Sequence, residues 1–379
     1  MPLKVHHYFP LGSNNVGDLL VARAIRQAIA RHFGEAQFVD FPVNDRYPGD
    51  DRLIGLRSEN VERSNAEADL VIVGGSNLLE ARKPRRDGLI GKTGGWGVYT
   101  DVESIERLKV PLLLLGMGTG SSFGKRIRKY HPPALDEVRL LHRKAFASAV
   151  RDITTVNKLA EIGITTQCTG CPVTFLTDRP ITAGDANLPL MISFPPPRIV
   201  ERVGGKQYMR AAMRYIQTLR DRGVPIIVSL HDLIDTEPAK QWVPAGVEIF
   251  CTADLDELIA RFENSRGVIG FRLHAALLGI GLGKPVIPIG VDWRGLAFIE
   301  TFGLSDLSAR AHRPGQHSKL LRLTDRLLAN DEELIKRLNN AMTEYRNKYH
   351  AFLASAADQF QSLDRSASVC DATSSEPQG

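Results

Sequence analysis

The chain has 379 residues, 43% of them hydrophobic and 24% charged, with a formal net charge of +5. That length exceeds one ordinary core and implies two domains, and the composition is that of a soluble globular protein. Its Lys and Arg are scattered, with no basic run of the kind that marks a nucleic-acid arm, which argues against nucleic acid as partner; mild basicity suits a small acidic substrate or loose peripheral association with an anionic membrane face.

Short apolar runs alternate with helical patterns almost throughout. Val5–Phe9 reads as a first strand, and residues 18–33 repeat apolar side chains at helical spacing (Ala22, Ile25, Ile29, Phe33). The segments "DLVIVGG" (69–75) and "VPLLLLGMG" (110–118) are apolar and end in glycine, as buried parallel strands do. "SAVRD" (148–152) is a further short strand, followed by a helix that stops at Gly163. A stretch rich in turn residues, "TDRPITAGDANLP" (177–189), reads as a linker.

Beyond it the alternation resumes. "LMISF" (190–194), "VPIIVSL" (224–230), "VEIFC" (247–251), "GVIGF" (267–271) and "PVIPIG" (285–290) read as strands, with helices such as 208–222 and 255–262 between them. Strand–helix alternation predicts two α/β lobes, each a Rossmann-like parallel sheet covered by helices, with a central cleft. The expected boundaries are 1–178 and 188–330 for the lobes and 331–364 for a helical extension. A small, polar tail over 365–379 is expected to be disordered.

Four cysteines are present. Cys168 and Cys171 form a lone C-x-x-C, which lacks the second pair a zinc site needs, so no metal is expected. Sparse cysteine, an N-terminus without a signal peptide's apolar core, and no run of ~18 apolar residues lead to the expectation of a cytoplasmic protein, placed at most at the inner face of the membrane.

Ligands of open α/β sheets gather at the carboxyl ends of the strands, so the residues there carry the function. After the first strand, "GSNNVGDLL" (12–20) places Asn15, Gly17 and Asp18 at a helix start, either as a cap and tight turn or as a loop that meets a polar ligand. Gly74, Gly75 and Gly118 end buried strands in turns that would admit a ligand against backbone amides, yet neither turn has the dinucleotide or P-loop spacing. Arg151 ends a strand and either clamps an anion bidentately or pairs with Asp152.

In "GVIGFRLHAALLGIGLGKPVIPIG" a cation and an imidazole, Arg272 and His274, interrupt an otherwise apolar run at the start of a helix. A buried cation needs a partner, which a bound anion or an internal carboxylate supplies. Asp292, Trp293 and Arg294 follow the next strand. Three arginines and one histidine around one site suit a small polyanion.

Taken in order, N-x-G-D near the N-terminus, "VIVGGSN", "LGMGTG", "VRDITTVNKLAEIG" and above all "GFRLHAALLGIGLGKPVIPIG" resemble the polysaccharide pyruvyl transferase family, over about residues 12–300. The resemblance implies a two-lobed fold like that of the GT-B nucleotide-sugar glycosyltransferases. It also implies transfer of a pyruvyl group from phosphoenolpyruvate, as donor substrate and without a further cofactor, to a sugar, glycan or lipid-linked saccharide, usually as a cyclic ketal. Arg151 and Arg272 would then hold the donor's phosphate and carboxylate, with Arg294 where the family often has Lys. His274 would be the catalytic acid, and Asn15 and Asp18 would lie near the acceptor, Asp18 as its base. Two other functions compete: a nucleotide-sugar glycosyltransferase of the same architecture, and a non-catalytic binding descendant.

Overall fold

The computed structural model describes residues 1–11, 15–43, 54–81, 96–120, 129–202, 205–310 and 313–373, with side chains of the last helix described as far as residue 363. The first lobe runs β1 (Leu3–Phe9), α1 (Val16–Phe33), β2 (Ala36–Pro42), α2 (Ser58–Glu67), β3 (Leu70–Gly74), α3 (Val102–Arg107), β4 (Leu112–Met117), α4 (Pro132–Lys144), β5 (Ala145–Val150), α5 (Ile153–Ala160) and β6 (Gln167–Cys168). The second runs β7 (Leu190–Ser193), α6 (Pro197–Arg202), α7 (Lys206–Asp221), β8 (Ile226–Ser229), α8 (Thr236–Lys240), β9 (Glu248–Phe250), α9 (Leu255–Glu263), β10 (Gly267–Gly270), α10 (Leu273–Gly281), β11 (Val286–Pro288), α11 (Trp293–Thr301) and α12 (Gln316–Leu328). A long helix, α13 (Glu332–Thr373), completes the chain.

Both sheets are parallel throughout. Their orders are β2-β1-β3-β4-β5-β6 and β11-β10-β7-β8-β9. The apolar runs become strands because each has two faces to bury. In β4, Leu113 and Leu115 enter one core while Leu112 and Leu114 enter another on the opposite face, as the two-residue period of a strand requires. The first of these cores is shared by both lobes.

Helices start where an Asn or Asp follows a strand. Asn15, Asp152, Asp254 and Asp292 each accept backbone N–H bonds in the first turn of α1, α5, α9 and α11. Each cap therefore fixes a helix N-terminus just past a strand's carboxyl end. Strand order reverses between β1 and β3 in the first sheet and between β7 and β10 in the second. These switch points open the crevices where such folds hold ligands.

One expectation needs correction. The helical extension packs on both lobes. From the second lobe α13 crosses back to the first, where Phe360 meets Phe33 and Phe146 at ring distances of 5.8 and 6.2 Å, and Tyr349 stacks on Phe175 at 4.9 Å. It is also longer: the backbone stays helical to Thr373 where a disordered tail from 365 was expected, and 374–379 lie outside the described residues. Two strands, β2 and β6, carry no clear mark in the sequence. β2 is only half-buried and holds Asp40, paired with Arg26 of α1, and β6 has two residues.

Candidate active site

The two switch points face each other across the cleft. Asn15 closes the gap between the lobes by an isolated bridge to Asp232, and Val16 N–H donates to the His231 carbonyl at 3.2 Å. Gly17, in the first turn of α1, sits directly against His274, in the first turn of α10. A Cβ at Gly17 would lie 1.9 Å from His274 Nδ1, so this contact requires glycine. Close approach between lobes, rather than backbone flexibility, is what Gly17 provides.

His274 is 7% exposed, and its Nε2 is buried with no hydrogen-bond partner among the described residues. Burial pushes its pKa well below the usual imidazole range, and the charges of Arg151, Arg294 and Arg272 push the same way. His274 is thus neutral in this arrangement. All three arginines singled out in the sequence are close enough to act on it.

Each arginine also has a protein partner. Arg151, buried just past β5, reaches Asp152 at 3.4 Å and donates to Asn77 Oδ1. Its guanidinium occupies the space a side chain at Gly118 would need, where a Cβ would lie 2.4 Å from Nε. Arg272 caps α10 from the end of β10. Its N–H donates to Ser193 Oγ of β7 at 2.9 Å, its guanidinium lies 3.7 Å from Asp235, and it donates to Asn15 Oδ1 at 3.5 Å. Burial lowers the Arg272 pKa and raises that of Asp235, each toward its neutral form. Burial thus works against the charge of both members of this pair. Arg294 is held by Asp292 through Nε at 3.0 Å and Nη2 at 2.5 Å. Burial pulls its pKa down, but Asp292 more than offsets this, with help from Asp18 and Glu80, and the result is raised. Arg294 crosses the cleft, its Cγ 3.1 Å from where a Cβ on Gly120 would stand.

The arrangement brings together Asn15, Gly17, Asp18, Arg151, Arg272, His274 and Arg294. It does not give the glycine turns the role expected. The N–H groups of Gly75 and Gly118 already donate to the Leu115 and Ser76 carbonyls at 2.9 Å, and that of Gly17 to Asn15 Oδ1 at 3.2 Å. Gly74 and Gly75 instead leave room for Ile25 and Val21 of α1. Their smallness serves packing, and the amides of Gly17, Gly75 and Gly118 are already engaged within the protein.

Sequence reading missed His231 and Asp235. Both follow β8, in "SLHDLID" (229–235), and the pattern of a polar group just past an apolar strand would have found them. His231 is fully buried, neither ring nitrogen has a partner among the described residues, and burial with the Arg272 charge pushes its pKa well down. Among the described residues, no group of three His, Cys, Asp or Glu side chains could hold a metal ion. Among them also, no helix is long and apolar enough to cross a membrane.

Two parallel-sheet lobes with a ligand crevice at facing switch points define a GT-B-type α/β protein. UDP-GlcNAc 2-epimerase from Neisseria meningitidis, bound to UDP-GlcNAc, shares this fold with a TM-score of 0.50 at 11% identity, over 95% of this chain and 99% of that one. The S. aureus MnaA–UDP co-structure (TM-score 0.49, 12% identity, 89% and 91% covered) and Phytolacca americana UGT2 complexed with UDP-2fluoro-glucose and pterostilbene (0.47, 10%, 95% and 99%) are also similar. No curated protein matches. The family model for polysaccharide pyruvyl transferase matches residues 15–292, from the cap of α1 to the cap of α11, and the chain belongs to that family.

Proposed function

We propose that this pyruvyl transferase takes its pyruvyl group from phosphoenolpyruvate and sets it on a sugar as a ketal. The observation that carries this reading is the buried, unpartnered His274 Nε2 among Arg151, Arg272 and Arg294. Phosphoenolpyruvate brings two anionic groups to a place where one buried and two part-buried cations stand, and guanidinium forks match carboxylate and phosphate. Its charge would reverse the push on His274, raising the imidazole pKa so that donor binding loads the proton the reaction needs.

The chemistry then runs as follows. His274 gives its proton to the methylene carbon of the donor, and C2 becomes electrophilic. One sugar hydroxyl adds to C2 and loses its proton, with Asp18 as the base. The C2–O bond to phosphate breaks and phosphate leaves with the bonding pair. A second hydroxyl of the sugar adds to the same carbon, gives its proton back to the now neutral His274, and closes the ketal. The arginines stabilise the charge on the departing phosphate, and holding both hydroxyls beside C2 removes much of the entropic barrier.

A nucleotide-sugar donor is the second reading, favoured by the epimerase of like fold that is bound to UDP-GlcNAc. Calorimetry with phosphoenolpyruvate, UDP-sugars and GDP-sugars, on wild type and Arg272→Ala, separates the two. Phosphoenolpyruvate binding that is lost in the variant supports the pyruvyl donor. A nucleotide sugar bound while phosphoenolpyruvate stays silent overturns it.

A further inference from the structure

The turn past β3, "SNLLE" (76–80), touches two of the three arginines of the active site. Asn77, near its start, takes a hydrogen bond from Arg151, and the Asn77 carbonyl accepts the Glu80 N–H at 3.2 Å, which closes the turn. The turn is tied to the end of β4. Leu79 N–H donates to the Gly118 carbonyl at 3.1 Å, and Thr119 Oγ1 donates to the Leu79 carbonyl at 3.0 Å. One residue on, Gly120 lies against the backbone of Arg294, where a Cβ would stand 3.3 Å from Arg294 Cα. Glu80 is near enough to Arg294 for its charge to act on the guanidinium. Its side chain is half-buried and, among the described residues, forms no ion pair and accepts no hydrogen bond.

Arg294 is matched without Glu80. Asp292 holds it through Nε at 3.0 Å and Nη2 at 2.5 Å, and Asp18 adds its charge from α1. One guanidinium thus stands among three carboxylates. The same guanidinium acts on His274, whose Nε2 is buried and without a partner among the described residues, so these carboxylates border the reacting centre. Trp293 precedes Arg294 and opens α11. It is 41% exposed, and among the described residues its indole has neither a hydrogen bond nor a ring partner. Packing explains neither the free carboxylate nor the free indole.

Together they have the chemistry that recognises a sugar. A carboxylate accepts hydrogen bonds from hydroxyls, and the electron-rich face of an indole packs against ring C–H groups. A sugar with a carboxylate of its own would meet Glu80 and Asp18 as like charges. We propose that Glu80 and Trp293 form an acceptor subsite that selects a neutral pyranose over an acidic one, Glu80 by accepting hydrogen bonds from its hydroxyls and Trp293 by packing on its C–H face. The proposal rests on the pyruvyl-transfer reading above. It adds to that reading the residues that choose the acceptor and the charge class they choose.

The test uses the full chain, wild type beside Glu80→Gln and Trp293→Ala. The probes are the methyl pyranosides of glucose, galactose and mannose and the three matching uronates, titrated by saturation-transfer NMR with and without phosphoenolpyruvate. At least one neutral glycoside should bind wild type about tenfold more tightly than its uronate. Trp293→Ala should weaken that glycoside about tenfold. Glu80→Gln should weaken it as well and bring the uronate to within about threefold of it. Both variants should still bind phosphoenolpyruvate by calorimetry, since neither side chain belongs to the buried core. A uronate bound as tightly as its neutral partner, wild type silent toward all six probes, or variants that treat the probes as wild type does would each overturn the subsite and leave the donor reading intact. Phosphoenolpyruvate silent in wild type overturns the donor reading, while the titrations without it still report on the subsite.

Discussion

At the amino ends of the first sheet's strands lies a cavity of about 1180 Å³, walled by Leu3, Phe33, Phe146, Phe360 and Leu363 with Lys109 and Lys144 among its polar groups. At the carboxyl ends of the same sheet the described residues of the two lobes meet closely. There Gly17 is pressed against His274, Gly118 against Arg151 and Gly120 against Arg294. Among the described residues the amino-end hollow is lined by no buried titratable group, while the carboxyl ends hold His274, Arg151, Asp152, Asp235 and Asp292 buried and Arg272 and Arg294 part-buried. Burying charge without full compensation costs several kcal/mol per ion, and a chain retains that cost where charge is used.

The contrast breaks if the carboxyl-end residues prove dispensable. His274→Ala should lose about 10²–10⁴ in rate, the share of a general acid, with the fold retained. Steady-state assay of phosphate release, beside circular dichroism, checks it, and near-full activity would leave the amino-end cavity as the better candidate. Acid should act on the same residues. His231 and His274 are both held neutral by burial, as is His7 in β1, whose pKa is pushed down to about 3. A folded pKa below the unfolded value of ~6.5 means stability is fully present above that pH and falls away below it, at up to ~1.4 kcal/mol per pH unit for each histidine. Denaturant unfolding from pH 7.5 down to 5 should show this loss, and His231→Phe should make it shallower. A flat profile would contradict buried neutral histidines in the site.

Smaller changes sharpen the picture. Gly17→Ala places a methyl where the His274 ring stands, and the ring or the lobes must move. About 1–3 kcal/mol of stability and most of the activity should go together, read by thermal unfolding and assay on the same sample. At the other end, Leu363→Ser alters an exposed side chain in the wall of the large cavity. It should leave activity unchanged and stability within about 0.5 kcal/mol, and a loss of turnover there would join the two ends functionally.

The sequence made the strands of both lobes legible because each was apolar and bounded by glycine or a capping Asp, two cues that agree. Half-buried β2 and two-residue β6 lacked that agreement. The end of α13 was misread because a small, polar composition says little about a helix whose earlier turns are already packed on both lobes. Arg272 and His274 stood out because they interrupt an apolar run. His231 and Asp235 did not, since they follow β8 in a stretch where polar residues are ordinary. The glycine turns were read as ligand cradles, but whether an N–H is free depends on the neighbouring strand: Leu115 and Ser76 take those of Gly75 and Gly118. What glycine makes room for also comes from elsewhere, Val21 at Gly75 and His274, more than 250 residues away, at Gly17.

The central claim is that a bound donor anion reverses the field on His274 and loads it with a proton. Calorimetric titration of phosphoenolpyruvate at pH 7.5, in two buffers of different ionisation enthalpy, counts protons taken up on binding for wild type and His274→Gln. The account predicts uptake approaching one proton in wild type and a clear drop in the variant. Binding without uptake, or uptake unchanged in His274→Gln, would contradict it.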